Sequence, residues 1–225
     1  MRLSAVILAR VLGYVETFDL GQGKIFFPEV VPQIVERYRF QKFPQTFEQF
    51  DESKGVEFLE GKWGNAVIQK LTIWNTLLVV ETRTNTADSK TILEEMLLWG
   101  AQKFGLNYKS GMVKKFGYVS DLTFSSDVPI LNMSAAVATL ATKTTEAVSE
   151  IWQESIKYEP FTFSVGHDPL ARKYGIAPFS ISRRAETPFS ENKYFSEAPL
   201  PTDLHVKLLN EFEQLIAAGQ PNLKK

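Results

Sequence analysis

Apolar residues along this chain switch between a spacing of two and a spacing near 3.6, and the switches mark out its elements. Leu3 to Val15 carries a single charge, Arg10, and reads as a buried first strand. From Pro28 onward Val31, Ile34, Val35 and Tyr38 return every third or fourth residue, which predicts a short helix opened by proline in its first turn. Three strands are expected next: Val56 to Leu59, Ala66 to Trp74 and Leu77 to Thr84, the last two joined by a tight Asn75-Thr76 turn. A second helix, with Asp88 as its expected cap, places Ile92, Leu93, Met96, Leu97, Gly100 and Phe104 on one stripe and stops at Gly105.

The same succession returns after residue 113. Phe116, Tyr118, Leu122 and Phe124 mark a strand, and a helix after Asn132 puts Val137, Leu140, Ala141, Thr144, Val148, Ile151 and Trp152 on one face. Phe161, Phe163 and Val165 alternate, Phe179, Ile181 and Arg183 alternate again, and a last short strand is expected at Lys193 to Phe195. The final helix opens at Pro201-Thr202-Asp203, is expected to bury Leu204, Leu208, Leu209, Phe212, Leu215 and Ile216, and ends at Gly219 before Pro221.

Strand, helix, three strands, helix is therefore read twice, over 3–104 and, as a weaker echo, over 113–218. The fold class expected is α+β: two pseudo-repeated halves, 1–109 and 110–225, packed as one compact unit with a mainly antiparallel sheet and helices on one face. This order of elements resembles the duplicated modules of the gyrase-inhibitor-like effector-binding and SOUL haem-binding families. The likeness lies in element order, without a shared residue motif, and it implies a small molecule held in a groove between the halves.

Composition removes several function classes. With 25 basic and 26 acidic residues the net charge is -1, so no overall field draws the chain to nucleic acid or to an anionic membrane, and neither is expected as a partner. The absence of cysteine excludes disulfides, thiolate nucleophiles and thiolate metal sites. His167 and His205 are the only imidazoles, too few for the usual zinc or non-haem-iron ligand sets, so neither metal nor cofactor is expected. The apolar opening segment is interrupted by Arg10 and never reaches the length of a membrane span, and no small-x-small cleavage site follows it; the expected location is the cytoplasm.

Candidate chemistry is sparse. Gly21-Gln22-Gly23-Lys24 lacks the glycine spacing and the hydroxyl residue after lysine of a phosphate loop, and reads as a turn. His167 and Asp168 are the catalytic candidates, an imidazole and a carboxylate in a polar loop; adjacent side chains diverge at a strand end, however, and Asp-Pro commonly opens a turn. The stretch from Arg183 to Pro201 gathers Arg183, Arg184, Glu191 and Tyr194 around Phe189 and Phe195, a composition suited to an anionic or planar ligand. Arg83 alternates with Glu81 and Asn85 on the fourth strand, where a Glu81 salt bridge to a neighbouring strand would explain the same residues. The candidate ligand-binding set is thus Arg83, Arg183, Arg184, Glu191 and Tyr194. Glu94 and Glu95 point apart on their helix and are expected to be solvated, and His205 is expected to face solvent or to cap.

Three readings follow. The leading one is a noncatalytic module that binds a small molecule between similar halves. The alternatives are a protein-interaction subunit of a larger assembly, for which Leu98 and Trp99 are exposed candidates, and an enzyme built on the His167-Asp168 loop.

Overall fold

The structure is a computed structural model that describes residues 1–22, 25–171 and 175–219. Within these lie eight strands and five α-helices: β1 (Arg2–Tyr14), α1 (Thr17–Gly21), α2 (Phe27–Tyr38), β2 (Val56–Trp63), β3 (Ala66–Trp74), β4 (Leu77–Thr82), α3 (Thr86–Phe104), β5 (Lys115–Ser125), α4 (Ala135–Trp152), β6 (Thr162–Val165), β7 (Phe179–Arg183), β8 (Lys193–Ala198) and α5 (Thr202–Gly219). The strands take the order β2-β3-β4-β1-β5-β8-β7-β6 in an antiparallel sheet, so the fold mixes α and β as the alternating periods predict. No helix among the described residues is long and apolar enough to cross a membrane.

The chain divides into two compact units, one built from the described residues of 6–121 and 199–204, the other from 1–5, 122–198 and the described residues from 205 on. In the first unit, β2 and β3 turn through Gly64-Asn65, with Trp63 opposite Ala66 and Gly64 at φ +56°. A left-handed residue is what a two-residue hairpin turn needs, and glycine takes it without steric cost. Asn75-Thr76 turns β3 into β4, with Trp74 opposite Leu77. Val31, Ile34 and Tyr38 of α2 join Ile92, Leu93, Met96 and Leu97 of α3 in one buried cluster with Val11, Val56, Phe58, Ile68, Leu71, Leu78 and Val80 from the strands. Each such fully buried side chain contributes roughly 1.5–3 kcal/mol of transfer free energy.

The start of α3 departs from the expectation. Asn85, not Asp88, is the cap: its side-chain oxygen accepts a hydrogen bond from the Ala87 N–H at 2.8 Å, and β4 ends at Thr82 to make room for that turn. Asn85 also donates through Nδ2 to Asp203 at 2.8 Å. Asn85→Ala is expected to lower stability by about 1 kcal/mol, the usual cost of a lost N-cap, whereas Asp88→Ala changes it by less. Urea unfolding of the two variants checks this, and equal losses would return the cap to Asp88.

In the second unit, β6, β7 and β8 pair antiparallel, with Phe163 opposite Ile181 and Ser182 opposite Phe195. The buried side of α5 is rotated from the expected stripe. Leu204 and Leu215 are 41% and 71% exposed, while His205 and Leu209 are 0% and 1% exposed. Phe212 stacks on Phe163 with centroids 5.7 Å apart. Two bonds exchanged between Thr86 and Thr202, at 2.9 and 3.1 Å, fix the start of α5 with Thr202 inward; residues 205 and 209 then follow on the same side of the helix.

α4 forms where expected, capped by Ser134, but none of its residues is buried. Its Thr145 and Ser149 hydroxyls accept the backbone N–H groups of Tyr158 and Ile156, at 2.8 and 3.0 Å. The chain following α4 thus doubles back along it. Leu140, Ile151 and Trp152 are left 66%, 77% and 68% exposed.

Candidate functional site

A largely apolar cavity of about 300 Å³ lies in the first unit. Five separate stretches of sequence wall it. Val30 and Ile34 come from α2, Met96, Leu97 and Trp99 from α3, Ile73 and Leu78 from the β3–β4 hairpin, and Phe18 and Leu20 from α1, with Glu52 supplied by the loop before β2. A Cβ on Gly100 would sit 2.6 Å from Leu106 Cδ1, so glycine at this buried position is what allows Leu106 to close one wall.

α1 forms a roof held at both ends. The Thr17 N–H donates to the Asn75 carbonyl at 2.8 Å, and the Asn107 N–H donates to the Leu20 carbonyl at 2.8 Å. Leu20 is buried beneath it, but Phe18 is 74% exposed at the rim. On the α3 side Trp99 is braced by a right-angled Tyr38 at 5.7 Å and by Phe104 at 5.1 Å, with the Arg37 guanidinium 4.9 Å from its ring centroid. Glu95 is not a solvated surface acid as expected. It pairs with Arg37 and accepts the Tyr38 hydroxyl at 2.6 Å. Burial pushes the Tyr38 phenol well above its ordinary value, and the Glu95 charge adds to that.

No protein-family model matches this chain, and no curated protein matches it.

The sequence-derived candidates are found elsewhere. Arg83 lies just past the end of β4, exposed, in the first unit, and Glu81 is bonded to Arg10 of β1 at 2.8 Å, the cross-strand pair that accounts for the polar alternation there. Arg183 belongs to the second unit and is 3% exposed. Its guanidinium donates to the Phe189 carbonyl at 2.7 Å, to Asn192 Oδ1 at 3.4 Å and to Glu159 at 3.3 Å, and lies over the rings of Phe189 and Tyr194. Tyr194 is fully buried and stacks on Phe124 at 5.5 Å. Burial pushes its phenol up, and Arg183 pulls it partly back. Arg184 and Glu191 are exposed, and Glu191 pairs with Lys193 at 2.5 Å. The 183–194 stretch is thus organised around an arginine that faces inward.

His167 and Asp168 are both exposed and both bonded to their own loop. The imidazole donates from Nδ1 to the Asp168 carbonyl at 2.8 Å and accepts the Ile176 N–H at Nε2, while the Asp168 carboxylate accepts the Leu170 N–H at 2.9 Å. The carboxylate therefore does not orient the ring as a base–acid pair requires. Gly21 closes α1 and Gln22 adopts the left-handed conformation after it; Gly23 and Lys24 lie outside the described residues.

A serine–histidine contact that the sequence did not suggest joins Ser196 Oγ to His205 Nε2 at 2.8 Å, with both residues 0% exposed. The Ser196 hydroxyl already donates its only proton to the Ser180 carbonyl at 2.7 Å, so the Nε2–H of His205 is the donor and the ring is no base toward this serine. Phe179 meets that ring edge-on at 5.2 Å. The pair serves to dock α5 on β7 and β8.

The cavity combines an apolar lining with exposed access at Phe18. Reading the sequence missed it because its lining is scattered over five segments, and because α1 is too short to show a period. The signal available was Phe18 and Leu20 flanking Asp19, an apolar pair with nothing adjacent to bury it.

Proposed function

We propose that this protein is a noncatalytic binding module that holds a small apolar molecule in the cavity beneath α1. The observation that carries the reading is the cavity itself: about 300 Å³, walled by leucine, isoleucine, valine, methionine and aromatic side chains, with Glu16, Thr17, Glu52 and Asn75 as the polar members among the described lining residues. That volume and that balance of apolar wall to few polar groups suit a small-molecule site. The recurrence of strand, helix, three strands, helix along the chain supports descent of the whole by duplication, with the site named here lying in one unit. A cytoplasmic location is part of the same proposal.

Native mass spectrometry of protein purified from its own host tests it, by comparing gentle with denaturing conditions. A small excess mass lost on denaturation is expected. Val30→Phe, which adds a ring at a half-buried wall position, is expected to abolish that excess and to weaken binding of added apolar probes at least tenfold while the protein remains folded by circular dichroism. A protein that carries no adduct and binds no apolar probe would falsify the reading.

A protein-interaction role is favoured by one separate observation, the uncovered side of α4 with Leu140, Ile151 and Trp152. It predicts a complex on gel filtration that dissociates when Trp152 and Ile151 are replaced by serine.

A further inference from the structure

We infer that the exposed side of α4 is a self-association seam, packing antiparallel about a two-fold axis against the same side of α4 in a second copy of this chain. This rests on the protein-interaction reading and names the partner.

α4 presents two distinct sides. Ala141, Thr145, Val148 and Ser149 are half-buried, and Thr145 and Ser149 are the residues that hold the returning chain at Tyr158 and Ile156. About a third of a turn round the helix, Val137, Leu140, Thr144, Ala147 and Ile151 recur at alternating steps of three and four residues, the spacing of a coiled-coil seam. Val137, Leu140, Ala147 and Ile151 are exposed. The one polar member of this line is already satisfied: the Thr144 hydroxyl donates to the Leu140 carbonyl at 2.9 Å, so covering it strands no donor. Helices in proteins take most of their stability from packing of an apolar side, and α4 has no buried residue within its own chain.

The charges beside the seam select what covers it. Lys143 and Glu150 both flank it on the side away from the half-buried residues, and both are exposed. They stand seven residues apart, about 10 Å along the helix axis, too far to pair with each other. Neither is in an ion pair among the described residues. A two-fold axis midway between Thr144 and Ala147 runs the two helices antiparallel, sets Leu140 against the partner's Ile151 and Thr144 against the partner's Ala147, and brings Lys143 beside the partner's Glu150. Symmetry makes each of these contacts twice. A parallel pairing instead sets lysine level with lysine and glutamate level with glutamate. The order of apolar and charged positions is thus complementary to itself in one direction only. A seam of two heptads is small beside stable interfaces, which bury about 1,200–2,000 Å², so a dimer in exchange with monomer is expected.

Sedimentation velocity of the full chain over a concentration series tests this, and a reversible monomer–dimer equilibrium is expected. Lys143→Glu and Glu150→Lys each put like charges at both flanking contacts. Each is expected to weaken self-association about tenfold, since two contacts turn from attraction to repulsion, with the fold intact by circular dichroism. Mixing the two single variants restores opposite charges at both contacts, so a heterodimer of native affinity is expected, and Lys143→Glu/Glu150→Lys is expected to regain the native equilibrium. A chain that stays monomeric at every concentration overturns the inference, as does a dimer that neither charge reversal weakens. A monomeric chain that carries a different polypeptide, released by the serine variant at Ile151 and Trp152, overturns self-pairing and leaves the interaction reading standing; a monomer with no such polypeptide removes both.

Discussion

Arg183→Ala is expected to lower the unfolding free energy by about 2–3 kcal/mol, among the larger losses available to a single substitution in this protein. The arginine is 3% exposed, and its removal takes one donor each from the Glu159 carboxylate, the Phe189 and Pro160 carbonyls and Asn192 Oδ1, leaving Glu159 to Lys157, the Phe189 carbonyl to the Asn192 N–H and Asn192 Oδ1 to the Tyr194 hydroxyl, around an emptied buried site. It also strips the stacked guanidinium from the faces of Phe189 and Tyr194, at 4.8 and 5.3 Å. Arg183→Lys is expected to recover little, because an ammonium cannot reproduce a planar fork that serves four acceptors in different directions. Arg184→Ala is the internal control: the neighbouring side chain is exposed, and its loss is expected to stay within about 0.5 kcal/mol. Guanidinium unfolding of the three variants gives the answer. A small loss for Arg183→Ala would mean that the other donors to its acceptors, with entering water, suffice to hold the stretch.

That contrast between residues 183 and 184 also shows where sequence reasoning stops. Period-two alternation of Phe179, Ile181 and Arg183 located β7 at Phe179–Arg183, and in the structure Ile181 and Arg183 both turn into the interior. An arginine in that phase has two physical outcomes, a site or a satisfied buried ion. Which one occurs depends on whether Glu159, Phe189 and Asn192 fold over it, and these come from loops with no period to read. The rotation of α5 has the same origin. Leu204, Leu208 and Leu215 make a plausible apolar stripe, but polar bonds at Thr202 and His205 decide which side of the helix turns inward. Conversely, β3 and its Asn75-Thr76 turn were readable to the residue, because hairpin turns are set by neighbours in sequence. The binding cavity was not, since no local rule links Glu16 to Glu52 or Val30 to Leu78.

Gly61→Val supplies the sharpest test of packing over propensity. Valine is a favoured strand residue and glycine a poor one, so residue preference alone gives a gain in β2. The structure gives the opposite sign. A Cβ at position 61 would stand 2.4 Å from Phe40 Cε1 and 2.6 Å from Cδ1, and Phe40 is 3% exposed against Phe58 at 5.4 Å and Tyr38 at 6.2 Å. The ring has no retreat, because the next residues are bonded to β2 itself: the Lys42 N–H donates to the Leu59 carbonyl at 3.3 Å, and the Leu59 N–H donates to the Lys42 carbonyl at 2.8 Å. Gly61→Val is therefore expected to cost about 3 kcal/mol, at the upper end of overpacking penalties. The cause is separable from any other defect of the strand by a double-mutant cycle. Phe40→Leu removes the obstructing ring edge, so the double variant is expected to be at least 1 kcal/mol more stable than the sum of the two single losses allows, a coupling normal for side chains in contact. Strictly additive losses would show that Phe40 is not what position 61 must accommodate, and the requirement for glycine would then lie in the backbone of β2.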